Sequence, residues 1–236
     1  VLPPDLLPAA YFSLAVYPGF FSDKIKEKFG VKFYEYHENV WTSTRIAMFT
    51  TTTTIYLAVM GTKEIKDFVT NAKFKSRRYN GINSHDGFAD CAESVASFAQ
   101  HAGQIADAAG KKLVLCGHSL GGAVASLLAH MLHVEQLKVQ LYTFGQPKTA
   151  VGLASLGDKY IRVVNSGDLI PGLPVPNCEH SGQQIFLTHK GEGLINPSKS
   201  RVFVDAALPQ LWERAGSLKS THSIASYIEK LENLKF

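Results

Sequence analysis

Apolar positions along the chain switch repeatedly between a helical and a strand-like spacing. Tyr11, Leu14 and Ala15, then Phe21, Ile25 and Phe29, recur at helical intervals and predict helix over 11–30, interrupted at Pro18-Gly19. Short β patterns follow at 32–36, 45–50 and 55–60. The threonines of 50–54 lie between two apolar runs and read as strand edge plus turn. Phe88, Cys91, Val95, Phe98, Ala102, Ile105 and Ala109 mark one face of a single long helix, which Gly110 stops. The run 113–116 is too short and too apolar for anything but a buried strand, and a helical pattern continues from it to His133. Strands at 139–144, 160–164 and 184–188 come next, the first two running into loops of Gly, Pro and Asn or Asp. A last helix over 223–234 carries Ile224, Tyr227, Ile228, Leu231 and Leu234 on one face. Strands alternating with helices predict an α/β fold with a mostly parallel central sheet, flanked by helices on both faces. No linker interrupts the pattern, so residues 1–236 read as one domain.

Between the buried strand and its helix stands Gly117-His118-Ser119-Leu120-Gly121-Gly122. Glycine favours neither a strand interior nor a helix start, so three of them around one serine call for a sharp turn with backbone packed close on both sides. The stretch matches G-x-S-x-G, in which a serine on a strained strand-to-helix turn exposes its hydroxyl. By composition alone such a match arises about 0.1 times per chain of this kind, and the flanking strand and helix supply the context it requires.

A hydroxyl is a weak nucleophile and needs a base, itself oriented by a carboxylate. In the α/β-hydrolase order these follow as Ser, acid, His. Of the later histidines, His130 and His133 ride the wrong end of the helix after Ser119, and His180 and His189 read as solvent-exposed loop side chains. His222, just before the last helix, is the best placed base. Asp168 follows the strand 160–164 in a loop containing Gly167 and Pro171 and is the preferred acid. Asp158 precedes that strand, and Asp205, after Val202-Phe203-Val204, is the rival. An oxyanion hole needs two N–H donors: Leu120, the residue after the serine, and Thr62, in the loop closing the strand 55–60.

Taken together these residues resemble the class 3 lipases, the fungal triacylglycerol lipase family within the α/β-hydrolases. The resemblance rests on Gly61-Thr62 with Asp67-Phe68, on His85-Asp86-Gly87-Phe88 and on the serine motif. Thr143-Phe144-Gly145-Gln146-Pro147, the segment from Val164-Asn165 through Asp168-Leu169-Ile170-Pro171, and His222 complete it. It implies Ser119, Asp168 and His222 as a catalytic triad, Thr62 and Leu120 as the oxyanion hole, and a helical lid after Thr62. Met60 and Phe68 depart from the arginine and tryptophan of many relatives, and the disulfides of secreted fungal members are missing. The lid segment 63–75 mixes Ile65, Phe68, Val69 and Phe74 with four lysines, which suits a lipid-touching lid and a solvated helix equally.

Composition adds bounds. The chain has 236 residues, 45% hydrophobic and 19% charged, with a formal net charge of +4 spread along it. Neither charge nor motif points to nucleic acid, and no apolar run approaches the roughly 18 residues of a membrane span. The start at Val1 without a charged leader reads as a processed product or an excised domain. Cys91 and Cys116 sit in buried patterns, and three cysteines cannot all pair. With no N-x-S/T sequon, this leans toward a reducing compartment rather than secretion. The expected activity is hydrolysis of carboxylic esters, acylglycerols or other lipid esters first, with transient contact at lipid surfaces and no metal or cofactor. A phospholipase or small-ester esterase with the same triad is the alternative enzyme; a lipase-like signalling or scaffold protein is the alternative of another class.

Overall fold

Eight strands form the central sheet of the computed structural model, which describes residues 2–61, 75–210 and 221–234. The strands are β1 (Phe33–Asn39), β2 (Thr44–Thr50), β3 (Thr54–Val59), β6 (Lys112–His118), β7 (Val139–Phe144), β9 (Tyr160–Asn165), β10 (Gln183–Leu187) and β11 (Gly193–Ile195), adjacent in that order. From β3 to β10 all neighbours are parallel, whereas β1, β2 and β11 add antiparallel edges. Buried on both faces, β3 and β6 are apolar almost throughout.

Strict alternation divides their side chains between two cores. Ile55, Leu57, Val59, Leu113 and Leu115 pack with α3 (Asp86–Ser94), α4 (Ala96–Ala108) and α5 (Leu120–Val134). Tyr56, Ala58, Val114 and Cys116 pack on the opposite face with α1 (Leu6–Ala15), α2 (Asp23–Phe29) and α7 (Ile224–Glu232). The mostly parallel sheet with helices on both faces is the architecture expected from the sequence. All three cysteines are free thiols, Cys91 and Cys116 buried as expected. No described helix is long and apolar enough to cross a membrane.

Several elements differ from expectation. The first helix begins at Leu6 rather than Tyr11. Leu6, Ala9, Ala10 and Phe12 are buried, and Pro8 falls in the first turn, where a missing N–H breaks no helical bond. The long helix predicted over 88–109 is two helices, divided at Val95 (φ −124°, ψ 9°). Ser94 Oγ donates to the Cys91 carbonyl at 2.7 Å and meets Thr42 Oγ1 at 2.8 Å, bonds that compete with the helical ladder. A second, small sheet of β4 (Ser76–Tyr79), β5 (Ile82–His85) and β8 (Ala150–Val151) was not anticipated. Its hairpin turns at Asn80-Gly81, both with positive φ (42° and 89°), the preferred dipeptide for such a turn. The run 202–204 and its neighbours form a helix, α6 (Lys199–Gln210), with Asp205 in its interior.

Candidate active site

The C-terminal ends of β3, β6 and β9 share one edge of the sheet, because Val59 pairs with Gly117 and the parallel register continues through β7. Ser119 follows β6 with φ 57° and ψ −127° and leads directly into α5. That conformation is rare for a residue with a side chain, and such strain concentrates at functional sites. The glycines make the turn possible. A Cβ on Gly117 would lie 2.3 Å from the Gly121 carbonyl oxygen, and one on Gly121 would lie 2.1 Å from the Val59 carbonyl oxygen. Strand, turn and neighbouring strand are packed backbone to backbone. Gly121→Val is therefore expected to cost roughly 1–3 kcal/mol or more by overpacking, read as a lowered midpoint in thermal or urea unfolding. Wild-type stability together with wild-type activity in that variant would show that the turn is not packed in this way.

Two further elements bring partners to the serine. His222, half-buried, stands just ahead of α7, which Ser223 caps by accepting the Ser226 N–H at 3.2 Å. Its Nε2 lies 2.9 Å from Ser119 Oγ, and its Nδ1 lies 2.8 and 2.9 Å from the two Asp168 oxygens. Asp168, buried in the turn after β9, also accepts the Ile170 N–H at 2.9 Å and a short bond from the Tyr227 hydroxyl. Burial, and then the adjacent Asp168 charge, pushes the Tyr227 phenol well above its ordinary pKa and keeps it a donor. The Tyr227 hydroxyl in turn accepts the Asn165 N–H at 3.1 Å. Gly145, at φ 60°, leaves the room this cluster needs: a Cβ there would sit 2.6 Å from Asp168 Oδ2 and 3.1 Å from His222 Nδ1.

His118 holds the other side of His222. The two rings lie 4.6 Å apart, and His118 Nε2 donates to the His222 carbonyl. Burial, then the neighbouring His222, lowers the His118 pKa to about 3, so His118 is neutral and its proton is on Nε2, since a carbonyl can only accept. Asn165 Nδ2 donates to the Thr221 carbonyl at 3.0 Å, and Thr221 Oγ1 donates to the Gly167 carbonyl at 3.2 Å. Through Thr221, the loop bearing His222 is thus tied to the loop bearing Asp168 next to the carboxylate–imidazole contact.

The structure brings Ser119, His222 and Asp168 together and leaves the rival acid elsewhere. Asp205 lies inside α6, where its oxygens meet His189 Nδ1 at 2.8 Å and the His189 N–H at 3.1 Å. His189, expected to be simply solvated, is exposed but paired. His180, also expected at the surface, is half-buried with Nε2 donating to the Pro171 carbonyl at 2.7 Å; burial, then the Arg162 charge, lowers its pKa to about 4. His130 is buried with Nε2 on the Asn80 carbonyl at 3.0 Å. Leu120 opens α5, where first-turn N–H groups have no acceptor within the helix. Thr62 and the segment expected as a lid, up to Phe74, lie outside the described residues. Gly61, just before Thr62, is held by its N–H to the Tyr17 hydroxyl at 3.1 Å. A Cβ on Gly61 would come 2.5 Å from the His118 carbonyl oxygen, so this loop starts hard against the serine turn. Tyr227, His118, Gly145 and Tyr17 had no individual signal in the sequence. Tyr227 was legible as an inward position of the last helix, and His118 and Gly145 as members of motifs, but not what any of them touches.

A strand–serine–helix turn on a mostly parallel sheet defines an α/β-hydrolase. The chain belongs to the class 3 lipases, whose family model matches residues 56–178, more than half of it. It is 31% identical over 146 residues to secreted mono- and diacylglycerol lipase 1 of Fusarium solani, covering 56% of this chain and 44% of that protein. It is likewise 31% identical over 152 residues to the lipase of Rhizomucor miehei, covering 57% and 42%. The chain thus matches less than half the length of either relative. The native propeptide complex of Rhizomucor miehei lipase superimposes with a TM-score of 0.70 at 25% identity over 81% of this chain and 70% of that one. The Fusarium relative is secreted, so the lean toward a reducing compartment drawn from the thiols finds no support there.

Proposed function

We propose that this chain is a serine hydrolase of carboxylic esters, acting on acylglycerols, with residues 1–236 working as one folded domain. The observation that carries the reading is the unbroken hydrogen-bond line from Ser119 Oγ through His222 to the buried Asp168 carboxylate, set on a strained turn. In this reading His222 Nε2 takes the Ser119 proton as Oγ attacks the ester carbonyl. Asp168, accepting from Nδ1, holds the ring in the tautomer that leaves Nε2 free to accept and stabilises the imidazolium that forms. The Leu120 N–H, with the positive end of α5 behind it, and the Thr62 N–H are the donors assigned to the developing oxyanion in this reading. The imidazolium returns its proton to the leaving alcohol, and the acyl group remains on Ser119. Water, deprotonated by His222, then releases the carboxylic acid by the reverse route.

Family membership and the mono- and diacylglycerol lipase relative support acylglycerols as substrates. Phospholipids are the second class to assay, since the chain is also 33% identical over 132 residues to phospholipase A1 EG1 of Oryza sativa subsp. indica. Monoacylglycerol, diacylglycerol, triacylglycerol, phosphatidylcholine and a soluble short-chain ester should be compared, with Ser119→Ala as the blank. Faster turnover of acylglycerols than of phosphatidylcholine is expected. Preference for the phospholipid would move the substrate class, and a folded protein inert toward every ester would favour a non-enzymatic role.

A further inference from the structure

The hairpin joining β1 to β2 ends in Val40 and Trp41, which are 75% and 93% exposed. Leaving an indole almost wholly in water forgoes the burial that normally stabilises it. The tip is nonetheless built to hold Trp41 outward. Asn39 Oδ1 accepts the N–H groups of Trp41 and Thr42 at 3.0 and 3.1 Å, and Thr42 Oγ1 meets Ser94 Oγ at the end of α3 at 2.8 Å.

Register places this tip on the catalytic side. Ile46 of β2 pairs with Val59 at the end of β3, and Asn39 of β1 pairs with Thr44 two residues further on. Residues 40–43 therefore project beyond the same sheet edge from which Ser119 emerges. Three strand spacings separate β1 from β6, roughly 14 Å across the sheet. The tip sequence Asn39-Val40-Trp41-Thr42-Ser43-Thr44 carries no charge, so entering a headgroup layer desolvates no ion there.

We propose that Val40 and Trp41 form an insertion point for a lipid–water interface, seating the sheet edge that carries Ser119 against it. This rests on the reading of the protein as a hydrolase of lipid esters and adds the surface by which it would meet them. Two side chains at a point offer about 400 Å² at most, half of what each partner of a stable protein contact covers, about 800 Å². An amphipathic indole beside an aliphatic residue is suited to the depth where tryptophan collects in membranes.

Trp41 reports on its own insertion once the chain's other tryptophan, Trp212, is changed to Phe. With vesicles of phosphatidylcholine and diacylglycerol, its emission should shift to the blue and be quenched by brominated acyl chains. Val40→Ser with Trp41→Ser should weaken vesicle binding by about tenfold or more, slow hydrolysis of vesicle-borne ester, and leave turnover of a soluble short-chain ester and the melting temperature unchanged. Unquenched emission with equal vesicle binding by the variant would overturn the proposal. So would a blue shift that grows with protein concentration in the absence of vesicles, which would make the tip a contact between copies. Absent turnover of the soluble ester alongside quenching by vesicles would instead count against the hydrolase reading and leave the insertion point standing.

Discussion

Ser119→Ala is expected to lower turnover of a soluble ester by about 10⁶-fold, because no other group can take over the attacking oxygen. Stability should scarcely change. The serine side chain is buried and, among the described residues, its hydroxyl bond runs to His222, while the turn is maintained by glycine-mediated backbone contacts that alanine leaves in place. The loss should therefore appear in kcat, with an unfolding midpoint close to that of the parent. Retained turnover in a folded Ser119→Ala protein would remove the serine from the chemistry.

Asp168→Asn should lower turnover by up to about 10⁴-fold with the fold intact. The carboxylate accepts from three directions: the His222 ring, the Ile170 N–H and the Tyr227 hydroxyl. An amide has one acceptor oxygen and one donor NH₂ group, so at least one of these donors loses its acceptor. With Ile170 and Tyr227 held by backbone and helix packing, the ring is the partner free to respond. It does so by giving up its Nδ1 proton and placing the proton on Nε2, where it blocks the approach of the serine proton. Asp205→Asn should have far less effect on turnover, since Asp205 meets His189 and not His222. Equal turnover of Asp168→Asn and wild type, with loss in Asp205→Asn, would transfer the role.

The contrast between these two aspartates shows which features a sequence displays. The serine turn was legible because its requirements are local: Gly117 and Gly121 are needed by backbone that lies within a few residues or in the strand alongside. Asp168 was legible for a similar reason, following a buried strand in a loop of Gly and Pro. The Asp205–His189 pair joins α6 to the end of β10 and has no local mark. Nor does the donation from Tyr227 to Asp168, because an inward-facing tyrosine reads as core whichever way its hydroxyl points. Similarly, the apolar stripe over 88–109 continues through Val95, which stays buried, so hydrophobic spacing cannot reveal the break made by Ser94. The β4–β5 hairpin escaped notice because its strands, Ser-Arg-Arg-Tyr and Ile-Asn-Ser-His, lack an alternating apolar face. Its one signal was Asn80-Gly81.

The nucleophilic role of Ser119 is tested most directly by a fluorophosphonate, which bonds covalently to an activated serine and to little else, followed by mass-spectrometric mapping of the adduct. The arrangement of Ser119, His222 and Asp168 predicts one adduct per chain, on Ser119, absent from Ser119→Ala and formed far more slowly in His222→Ala. A well-folded protein that stays unlabelled, or one labelled stoichiometrically at another residue, would contradict it.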